Sequence, residues 1–534
     1  MKKYIKSENG YSLVTVMLIF ILITALGLTL VSVTVGSSKF VAFDRVSAED
    51  RVNAENRMEE AMANIENEVD IINGEALNAS NALSKMDSAL AKAAAKGASK
   101  YTLSHETLRN GENGVFIKKV SIDTPLGNSG KRLKKTVTLS TISEIFQYSL
   151  VSPGIIEFNG ASYIEGDVTA KNIVNRSEAK FIKNSTYWKP TSYPAIKGSL
   201  ALSDNENGFY YYNNGAKRFT PNASNLNKYF SVVPRIKTSK PTFDKLQYSR
   251  FIKDVDFNLN TQKTEEYCYR NWLGKWVCEE KNSSFSRKES IDGTKFRGNL
   301  TIEDKGDLTV NGNLVVTKKL TIKKGGKLNV NGSVIIEGDA TLSGQLALGS
   351  KENYIYINST TSVDNFDFEG KMFIDSNLTI KNDFNTNGTV FIRNTVDVQN
   401  LSNNSGGTLV LIADGDLKLS NNNQYVDEPK TIDAFLYTNS TLEMYGVGSN
   451  MKILGGMYGN SIILNATKGK TYTSGSKSTY DELGGLYFQK NQNSIDPTKS
   501  RLSIIYKKEL ILNPPTGIPT VDKVQIKELD SSFE

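Results

Sequence analysis

The chain has 534 residues, of which 39% are hydrophobic, 9% aromatic and 23% charged, and this balance is typical of a folded protein and excludes wholesale disorder. Lysine and arginine number 64 against 57 acidic residues, a formal charge of +7 with no basic arm, so we expect no nucleic-acid binding. A single histidine, His105, and two cysteines exclude most metalloenzymes and every mechanism that needs several imidazoles.

A basic leader and a long apolar run open the chain. Residues 1–10 carry three lysines and one glutamate, and no further charged residue occurs before Lys39. The stretch Tyr11–Val35 is long enough to cross a bilayer, because about 20 helical residues span the hydrocarbon core. We therefore predict a transmembrane helix over 11–36, with the N-terminus in the cytoplasm because lysines flank that end. A cleaved secretory signal peptide is the alternative.

The junction between the leader and the apolar run resembles a known processing site. Gly10 is followed by Tyr11, Ser12 and Leu13, which resembles the signature of type IV prepilins, where a peptidase cuts after the glycine. The resemblance implies cleavage between Gly10 and Tyr11, a place in the bacterial cytoplasmic membrane, and prepilin peptidase and other pilin-like subunits as partners. Thr15 stands where most pilins carry a glutamate, which resembles the PilX subgroup of minor pilins. An ordinary single-pass anchor is the alternative.

Two helices are predicted after the membrane segment. Apolar residues recur at three- and four-residue spacing up to Ile72, and Gly74 follows as a C-cap. The alanine-rich stretch Glu75–Lys96 ends at Gly97 in the same way. The sequence therefore predicts an extracellular helical stalk over 37–97.

Short aliphatic triplets recur through the middle of the chain. The sequence LTVNGNLVV at Leu308–Val316 returns after 20 residues as LNVNGSVII at Leu328–Ile336. Three short strands per turn predict a parallel β-helix, in which each strand pairs with its equivalent one turn on. Antiparallel hairpins are the alternative, because Asn-Gly is also a hairpin turn. The fixed return favours the β-helix, and its regular part resembles the β-helices of bactofilin-type polymer-forming proteins.

A distant copy of the repeat lies nearer the N-terminus. Asn159–Thr169 matches Asn331–Thr341 in its Asn-Gly and Glu-Gly-Asp positions. We therefore expect the β-helix to begin near Ile155, to be interrupted over 175–295, and to resume near Arg297. The interruption is rich in aromatic and polar residues.

The aromatic insert contains both cysteines. Residues 267–278 alternate around Gly274 and predict a hairpin, whose ends a disulfide between Cys268 and Cys278 could join at an extracellular location. Two reduced thiols are the alternative. The Trp and Tyr rings of the insert would serve glycan binding by stacking on sugars, or they would instead form a small core.

The sequence offers no recognisable catalytic constellation. Parallel β-helices include polysaccharide lyases and hydrolases, but His105 lies upstream of the repeats, and Asp414 and Asp416 flank a glycine as corner residues do. Glu165 and Glu337 occupy equivalent positions of the two repeat copies, which favours a structural role. We therefore expect no enzymatic activity, no cofactor and no metal site.

Together these patterns predict a mainly β protein, a right-handed parallel β-helix on an N-terminal transmembrane, pilin-like helical stalk. We expect a non-enzymatic surface protein anchored in the membrane, a PilX-type component of a type IV pilus or related filament. A cell-surface adhesin or carbohydrate-binding or carbohydrate-active β-helix protein on a plain anchor is the alternative. The expected segments are the leader 1–10, transmembrane helix 11–36, stalk 37–97, β-rich connector 98–150, first turns 151–174, aromatic insert 175–295, β-helix 296–470 and C-terminal cap or tail 471–534.

Overall fold

The structure is a computed structural model in which the chain divides into two compact units. Unit 1 comprises the residues up to Leu108 together with 118–139 and 526–534, and unit 2 comprises 109–117 and 140–525. The described residues are 11–75, 81–127, 131–203, 207–237, 243–403 and 406–533. The predicted leader 1–10, with Gly10, lies outside them.

Unit 1 combines a long helix, a short helix and a four-stranded sheet. Helix α1 spans Tyr11–Asn73 and helix α2 spans Ala82–Lys96. The sheet has the strand order Thr102–Asn110, Phe116–Pro125, Arg132–Ile142 and Thr520–Phe533. Its fourth strand therefore comes from the segment expected to be a C-terminal cap or tail.

The second part of α1 buries one face. Helix α2 begins at Ala82 rather than at Glu75, and Lys96 at its end forms an ion pair with Glu68 of α1 at 2.6 Å. The buried apolar residues of α1 follow the spacing expected of an amphipathic helix and are Ala54, Met58, Ala61, Met62, Ile65, Val69 and Ile72.

The first part of α1 contains the predicted transmembrane helix 11–36. Most side chains of this part lie outside the described residues. A search of the helices as far as they are described found none with both the length and the apolar character that crossing a membrane requires. The membrane span therefore remains a prediction.

Unit 2 is built around a parallel β-solenoid of about 15 turns. This confirms the predicted mainly β fold and its parallel solenoid, while the handedness remains a prediction. Inward aliphatic side chains of successive turns form one continuous core. In the regular turns Val310 and Val330 are buried, whereas Thr309 and Asn329 between them are partly exposed, which is the alternation expected along a strand.

The strands of the solenoid form three faces, and several long strands turn a corner from one face to the next. One face contains Ser283–Phe285, Leu300–Ile302, Leu320–Ile322, Ala340–Leu342, Thr361–Val363, Leu378–Ile380, Val396–Gln399, Leu417–Ser420 and Phe209–Tyr212. A second contains Lys327–Val330, Gln345–Leu348, Leu502–Ile505, Tyr163–Glu165 and Ala195–Lys197. The third contains Lys263–Glu265, Val334–Ile336, Tyr354–Ile357, Leu409–Ala413, Ser199–Leu202 and Arg235–Lys237. The long strands are Lys288–Phe296, Asp307–Val316, Phe366–Ile374, Phe384–Ile392, Lys430–Gly446, Met451–Ala466, Leu150–Gly160 and Val168–Arg176.

Smaller elements decorate the solenoid. Antiparallel hairpins are formed by Glu178–Ile182 with Thr186–Pro190 and by Tyr267–Arg270 with Trp276–Glu279. Ala216–Arg218 pairs with Phe209–Tyr212, and Thr471–Tyr472, Tyr480–Leu483 and Leu486–Gln489 form a separate sheet. Helix α3 spans Ala223–Tyr229, and short helical turns occur at Tyr248–Phe251 and Glu509–Leu512, with 3-10 turns at Glu112–Gly114, Glu144–Gln147, Ile252–Asp254, Gln492–Ser494 and Pro497–Lys499.

The chain enters the stack at an internal turn and not at either end of the stack. Strand Leu150–Gly160 pairs with Met451–Ala466 on one side and with Val168–Arg176 on the other, in parallel. The first turns along the chain therefore continue the stack beyond the turn that contains residue 466. The expected linear order, in which these turns precede the one near Arg297, is not the spatial order.

A segment that includes two short helical turns runs between the two ends of the stack. After Arg235–Lys237 at one end, the chain must return to Lys263–Glu265 at the other. Residues 243–262, the axial segment, make this return by contacting turns in descending sequence order. Its contacts are Leu246 N to Tyr437 Oη (2.8 Å), the ring of Phe251 with that of Phe391 (4.6 Å), Asp256 N to Tyr354 Oη (2.8 Å) and Gln262 N to Gly293 O (2.7 Å).

Much of the predicted aromatic insert 175–295 consequently belongs to the solenoid. Strands Ala195–Lys197, Ser199–Leu202 and Phe209–Tyr212 add turns at one end. Strands Lys263–Glu265 and Lys288–Phe296 begin the other end. The aromatic residues that the sequence groups together are therefore divided between opposite ends of the stack.

Candidate functional site

Residues 267–278 form an exposed hairpin that we call the aromatic hairpin. Cys268 lies directly opposite Cys278, and the structure joins them as a disulfide. At the turn, Asn271 Oδ1 accepts hydrogen bonds from the backbone nitrogens of Leu273 and Lys275, both at 3.0 Å. Gly274 has φ +74°, a left-handed conformation that favours glycine. The side chain of Asn271 and the disulfide therefore hold the two ends of this short hairpin.

The aromatic hairpin exposes its large apolar side chains. Trp272 is 91% exposed, Trp276 66%, Leu273 61% and Tyr267 59%. Among the described strands these two pair only with each other, and these exposures show that neither face of the ribbon is buried on the solenoid core. The expected small core of rings does not form here. Single exposed apolar residues are common, but four large ones within one hairpin make it a candidate interaction surface.

Polar contacts orient two rings of the aromatic hairpin. The Arg270 guanidinium lies 5.4 Å from the ring centroid of Trp276, within the range of a cation–π interaction. The Tyr269 hydroxyl donates to Glu279 Oε1 at 2.7 Å, and this hydrogen bond raises the pKa of Tyr269. Each face of the ribbon therefore carries one ring held by a charged neighbour.

The potential metal ligands of this hairpin do not fit a metal ion. Glu266, Cys268 and Cys278 bring potential ligand atoms within 4.8 Å of one another, the one such group found in the described part of the chain. Both sulfur atoms are used in the disulfide, whereas metal binding by cysteine requires thiolates.

A second candidate region lies near the start of α1. Val16–Phe20 are five consecutive apolar residues, each between 51% and 72% exposed. Because helical residues are separated by about 100°, five in a row cover the whole circumference. The helix therefore presents apolar surface in every direction at this point. Tyr11, predicted to follow the processing cut, is the first residue that the structure describes and lies in α1.

The acidic residues considered for catalysis have structural partners. Asp414 accepts hydrogen bonds from Tyr248 N at 3.2 Å and Asn439 Nδ2 at 2.7 Å. Asp416 accepts hydrogen bonds from two residues of the next turn, the Ser440 hydroxyl and Thr441 N, the latter at 3.1 Å. Both carboxylates therefore hold corners of the solenoid together.

A cleft of about 670 Å³ beside the second face contains further ionisable groups. The Lys197 ammonium, 2.8 Å from Glu165, lowers the pKa of that carboxyl. Burial alone would raise the pKa of Asp427, but hydrogen bonds from Lys470 at 3.0 Å and Tyr472 at 2.8 Å lower it. These two carboxylates are thus ion-paired, which does not suit a general acid at neutral pH.

Arg501 is a buried arginine to which the sequence assigns no role. The Arg501 guanidinium donates to the carbonyl oxygens of Ser449 and Gly448 at 3.0 Å and of Gly469 and Val426 at 3.3 Å. Burial lowers its pKa to about 10. Arg501 therefore ties three loops to the solenoid by satisfying backbone acceptors, a role that leaves no signal in local sequence.

Comparisons with known proteins give limited information. No protein-family model and no curated protein sequence matches the chain. Among solved structures, the chain is similar to the competence-associated pilin ComZ from Thermus thermophilus, with 9% sequence identity over 81% of this chain and 83% of that chain, and a TM-score of 0.15. At this TM-score the similarity carries no argument about the fold or function of this chain.

Proposed function

We propose that the protein is a non-enzymatic, membrane-anchored surface subunit of pilin type that carries a β-solenoid. The observation that carries this proposal is the band of exposed apolar side chains around α1 at Val16–Phe20. A helix that is apolar on all sides requires a lipid or protein environment. In water, each such side chain would forgo about 1.5–3 kcal/mol of burial free energy.

The two parts of α1 suit the two requirements of such a subunit. From Ala54 onward the helix buries one face within unit 1, which fixes it to the folded part of the protein. In contrast, the side chains of the band Val16–Phe20 are each between 51% and 72% exposed. In the proposal, this part lies first in the bilayer and is then covered by the equivalent helices of neighbouring subunits.

The proposed processing rests on the sequence around Gly10. Cleavage after Gly10 would leave Tyr11, which lies in α1, at the new N-terminus. In ordinary pilins, a glutamate is thought to pair with the N-terminal amine of a neighbouring subunit. Thr15 offers a hydroxyl instead, so we propose a minor, PilX-type subunit rather than the repeating one.

The solenoid suits a structural role in this proposal. Its outward polar side chains form ladders between turns, as when Asn331 Nδ2 donates to Asn311 Oδ1 at 3.0 Å and Asn400 Nδ2 to Asn382 Oδ1 at 3.0 Å. Side chains engaged in this way stabilise stacking. The solenoid would then serve as a rigid extension of the subunit.

N-terminal sequencing of protein extracted from membranes of the native host tests this proposal. We expect an N-terminus at Tyr11, and an uncut precursor for the variant Gly10→Leu, because a bulky residue blocks cleavage. Ser12→Ala, two residues beyond the cut, is the control and should be processed. A wild-type protein that starts at Met1 or Lys2 while remaining in the membrane would instead support the alternative, a surface adhesin on a plain anchor.

A further inference from the structure

The apex of the aromatic hairpin is a convex apolar point with basic residues behind it. We propose that this apex inserts into the surface of a lipid bilayer that contains anionic lipids. The observations concern Trp272 and Leu273 at the apex, Arg270 at the end of the first strand and Lys275 just before the second. This inference does not depend on processing at Gly10 or on filament assembly.

The shape of the apex favours a lipid surface over a sugar. A carbohydrate site holds its ring in a concavity with polar groups around it. Trp272, at 91% exposure, is covered by almost nothing, and Leu273 beside it is also largely exposed. A lipid bilayer can bury two such adjacent side chains at the end of a ribbon, because its headgroups and acyl chains deform around them.

The spacing along the ribbon matches the layers of a membrane interface. Arg270 lies opposite Trp276, and Asn271 N donates to Lys275 O at 2.9 Å, so Lys275 is one residue nearer the apex than Arg270. Strand residues advance about 3.3 Å each, so both basic residues lie within roughly 7 Å of the apex, while amphipathic elements bury about 5–10 Å into the interface. Their charges would therefore reach the headgroups when the apex is inserted. Trp276 would lie at the level of Arg270, where aromatic residues concentrate in membrane proteins.

The positive charge of the aromatic hairpin favours anionic lipids over neutral ones. Residues 267–278 contain Arg270 and Lys275 and no acidic residue, a charge of +2 facing the membrane. Of the acids at the base, Glu266 pairs with Arg297 and Glu280 with Lys318, while Glu279 accepts from Tyr269 and keeps its charge beyond Cys278, away from the apex. Basic residues near a bilayer are attracted to anionic headgroups, so an anionic membrane complements the apex.

The hairpin is also held in shape before it meets a membrane. The disulfide between Cys268 and Cys278 and the Asn271 side chain fix its strands and turn. A preformed apex loses less conformational entropy on insertion than a mobile loop would. The disulfide therefore contributes to binding without touching the lipid.

A tethering experiment with the full-length protein separates the hairpin from the N-terminal helix. The protein is first reconstituted into phosphatidylcholine vesicles, which accommodate its apolar helix, and labelled vesicles of a second population are then added. We expect capture of equimolar phosphatidylglycerol–phosphatidylcholine vesicles to exceed capture of pure phosphatidylcholine vesicles. The double variant Trp272→Ser/Leu273→Ser should lower capture at least about tenfold, because two apolar anchors are lost.

A matched control uses exposed apolar residues elsewhere on unit 2. The double variant Ile182→Ser/Val426→Ser removes two residues that are 58% and 46% exposed and should capture vesicles like the wild type. Thermal unfolding of each variant verifies that it is folded, which the exposure of the substituted positions favours. Equal capture by the wild type and the apex variant, or no preference for phosphatidylglycerol, would overturn the proposal. Binding of soluble polysaccharide that Trp272→Ser abolishes, without vesicle capture, would assign the apex to glycans instead.

Discussion

Two regions of unit 2 are both rich in aromatic residues, but the rings are buried in one and exposed in the other. Phe209, Phe219 and Tyr229 are buried at one end of the solenoid, with ring centroids 5.5 Å apart for the first two and 4.6 Å for the last two. Trp272 and Trp276 are exposed in the aromatic hairpin. Both regions lie in the segment that the sequence marks as one aromatic insert.

Strand pairing explains the difference. Phe209–Tyr212 pairs in parallel with Val168–Arg176, so alternate residues point into the core, and Phe219 and helix α3 cover the end. Within the described part of the chain, the two strands of the aromatic hairpin pair only with each other, so alternation along them does not place rings in the core. Burial of an aromatic residue in this protein therefore depends on whether its strand joins the stack, and not on the composition around it.

The largest expected effect tests the inside of the stack. Val310→Asp places a carboxylate in the core between turns, and we expect the free energy of unfolding to fall by about 3–5 kcal/mol, because the charge has no partner. Thr309→Asp, the adjacent outward position, should cost less than about 1 kcal/mol. Chemical denaturation of both variants gives the difference. Equal losses would mean that the two faces of the strand are wrongly assigned.

A second prediction compares the two aromatic regions directly. Phe209→Ala removes a buried ring, and we expect a loss of about 3 kcal/mol or more in the free energy of unfolding. Trp272→Ala removes an exposed ring and should change stability by no more than about 0.5 kcal/mol. The two variants are compared by urea denaturation. A substantial loss for Trp272→Ala would show that the hairpin packs against the protein.

A third prediction separates local order from global stability. The double variant Cys268→Ser/Cys278→Ser should leave solenoid unfolding nearly unchanged, because the hairpin contributes nothing to the core. Hydrogen exchange at residues 267–278 should accelerate at least about tenfold, because closing this short loop contributes a few kcal/mol locally. Mass spectrometry of exchanged peptides provides both readings. Faster exchange in the turns near Leu300 would contradict the separation.

The smallest expected effect concerns a single hydrogen bond. The Glu279 carboxylate raises the pKa of Tyr269 by accepting from its hydroxyl, so this hydrogen bond is present at neutral pH and is lost as the pH rises through that raised pKa. Glu279→Gln should lower the pKa of Tyr269 toward its ordinary value. A difference ultraviolet titration of the two proteins measures the change, and a Tyr269→Phe background removes it. A difference that persists in that background would assign the effect to another tyrosine.

The regular turns were predictable because each one repeats the same local pattern of aliphatic triplets and Asn-Gly corners. Leu308–Val316 and Leu328–Ile336 share their pattern, and a parallel stack follows from the fixed period. The order of the turns was not predictable in this way, since Leu150–Gly160 shows the same alternation whichever turn it contacts. Asn159, whose Nδ2 donates to Asn465 Oδ1 at 3.1 Å, gives a weak signal, because equivalent asparagines form ladders between turns.

Other features depended on information that local sequence does not hold. The fourth strand of the unit 1 sheet, Thr520–Phe533, shows partial apolar alternation that would have supported a strand, but not its distant pairing with Arg132–Ile142. Arg501 is identified only by the carbonyl groups that surround it. For the candidate sites, the sequence predicted the hairpin and its cysteine pair. The exposure of Trp272 depends on how the hairpin is placed, because among the described strands no turn of the solenoid pairs with it, and local sequence does not show this.

The entry and exit of the chain make the solenoid adjustable in length. Ser143 N donates to Pro519 O at 3.2 Å, so the chain enters and leaves this part of unit 2 at adjacent points. Entry occurs in the middle of the stack, and both ends of the stack lie away from it. Whole turns gained or lost at either end, together with a matching change in the axial segment, would leave these two points where they are. The number of solenoid turns could therefore change during evolution while the points at which the chain enters and leaves the solenoid stay the same.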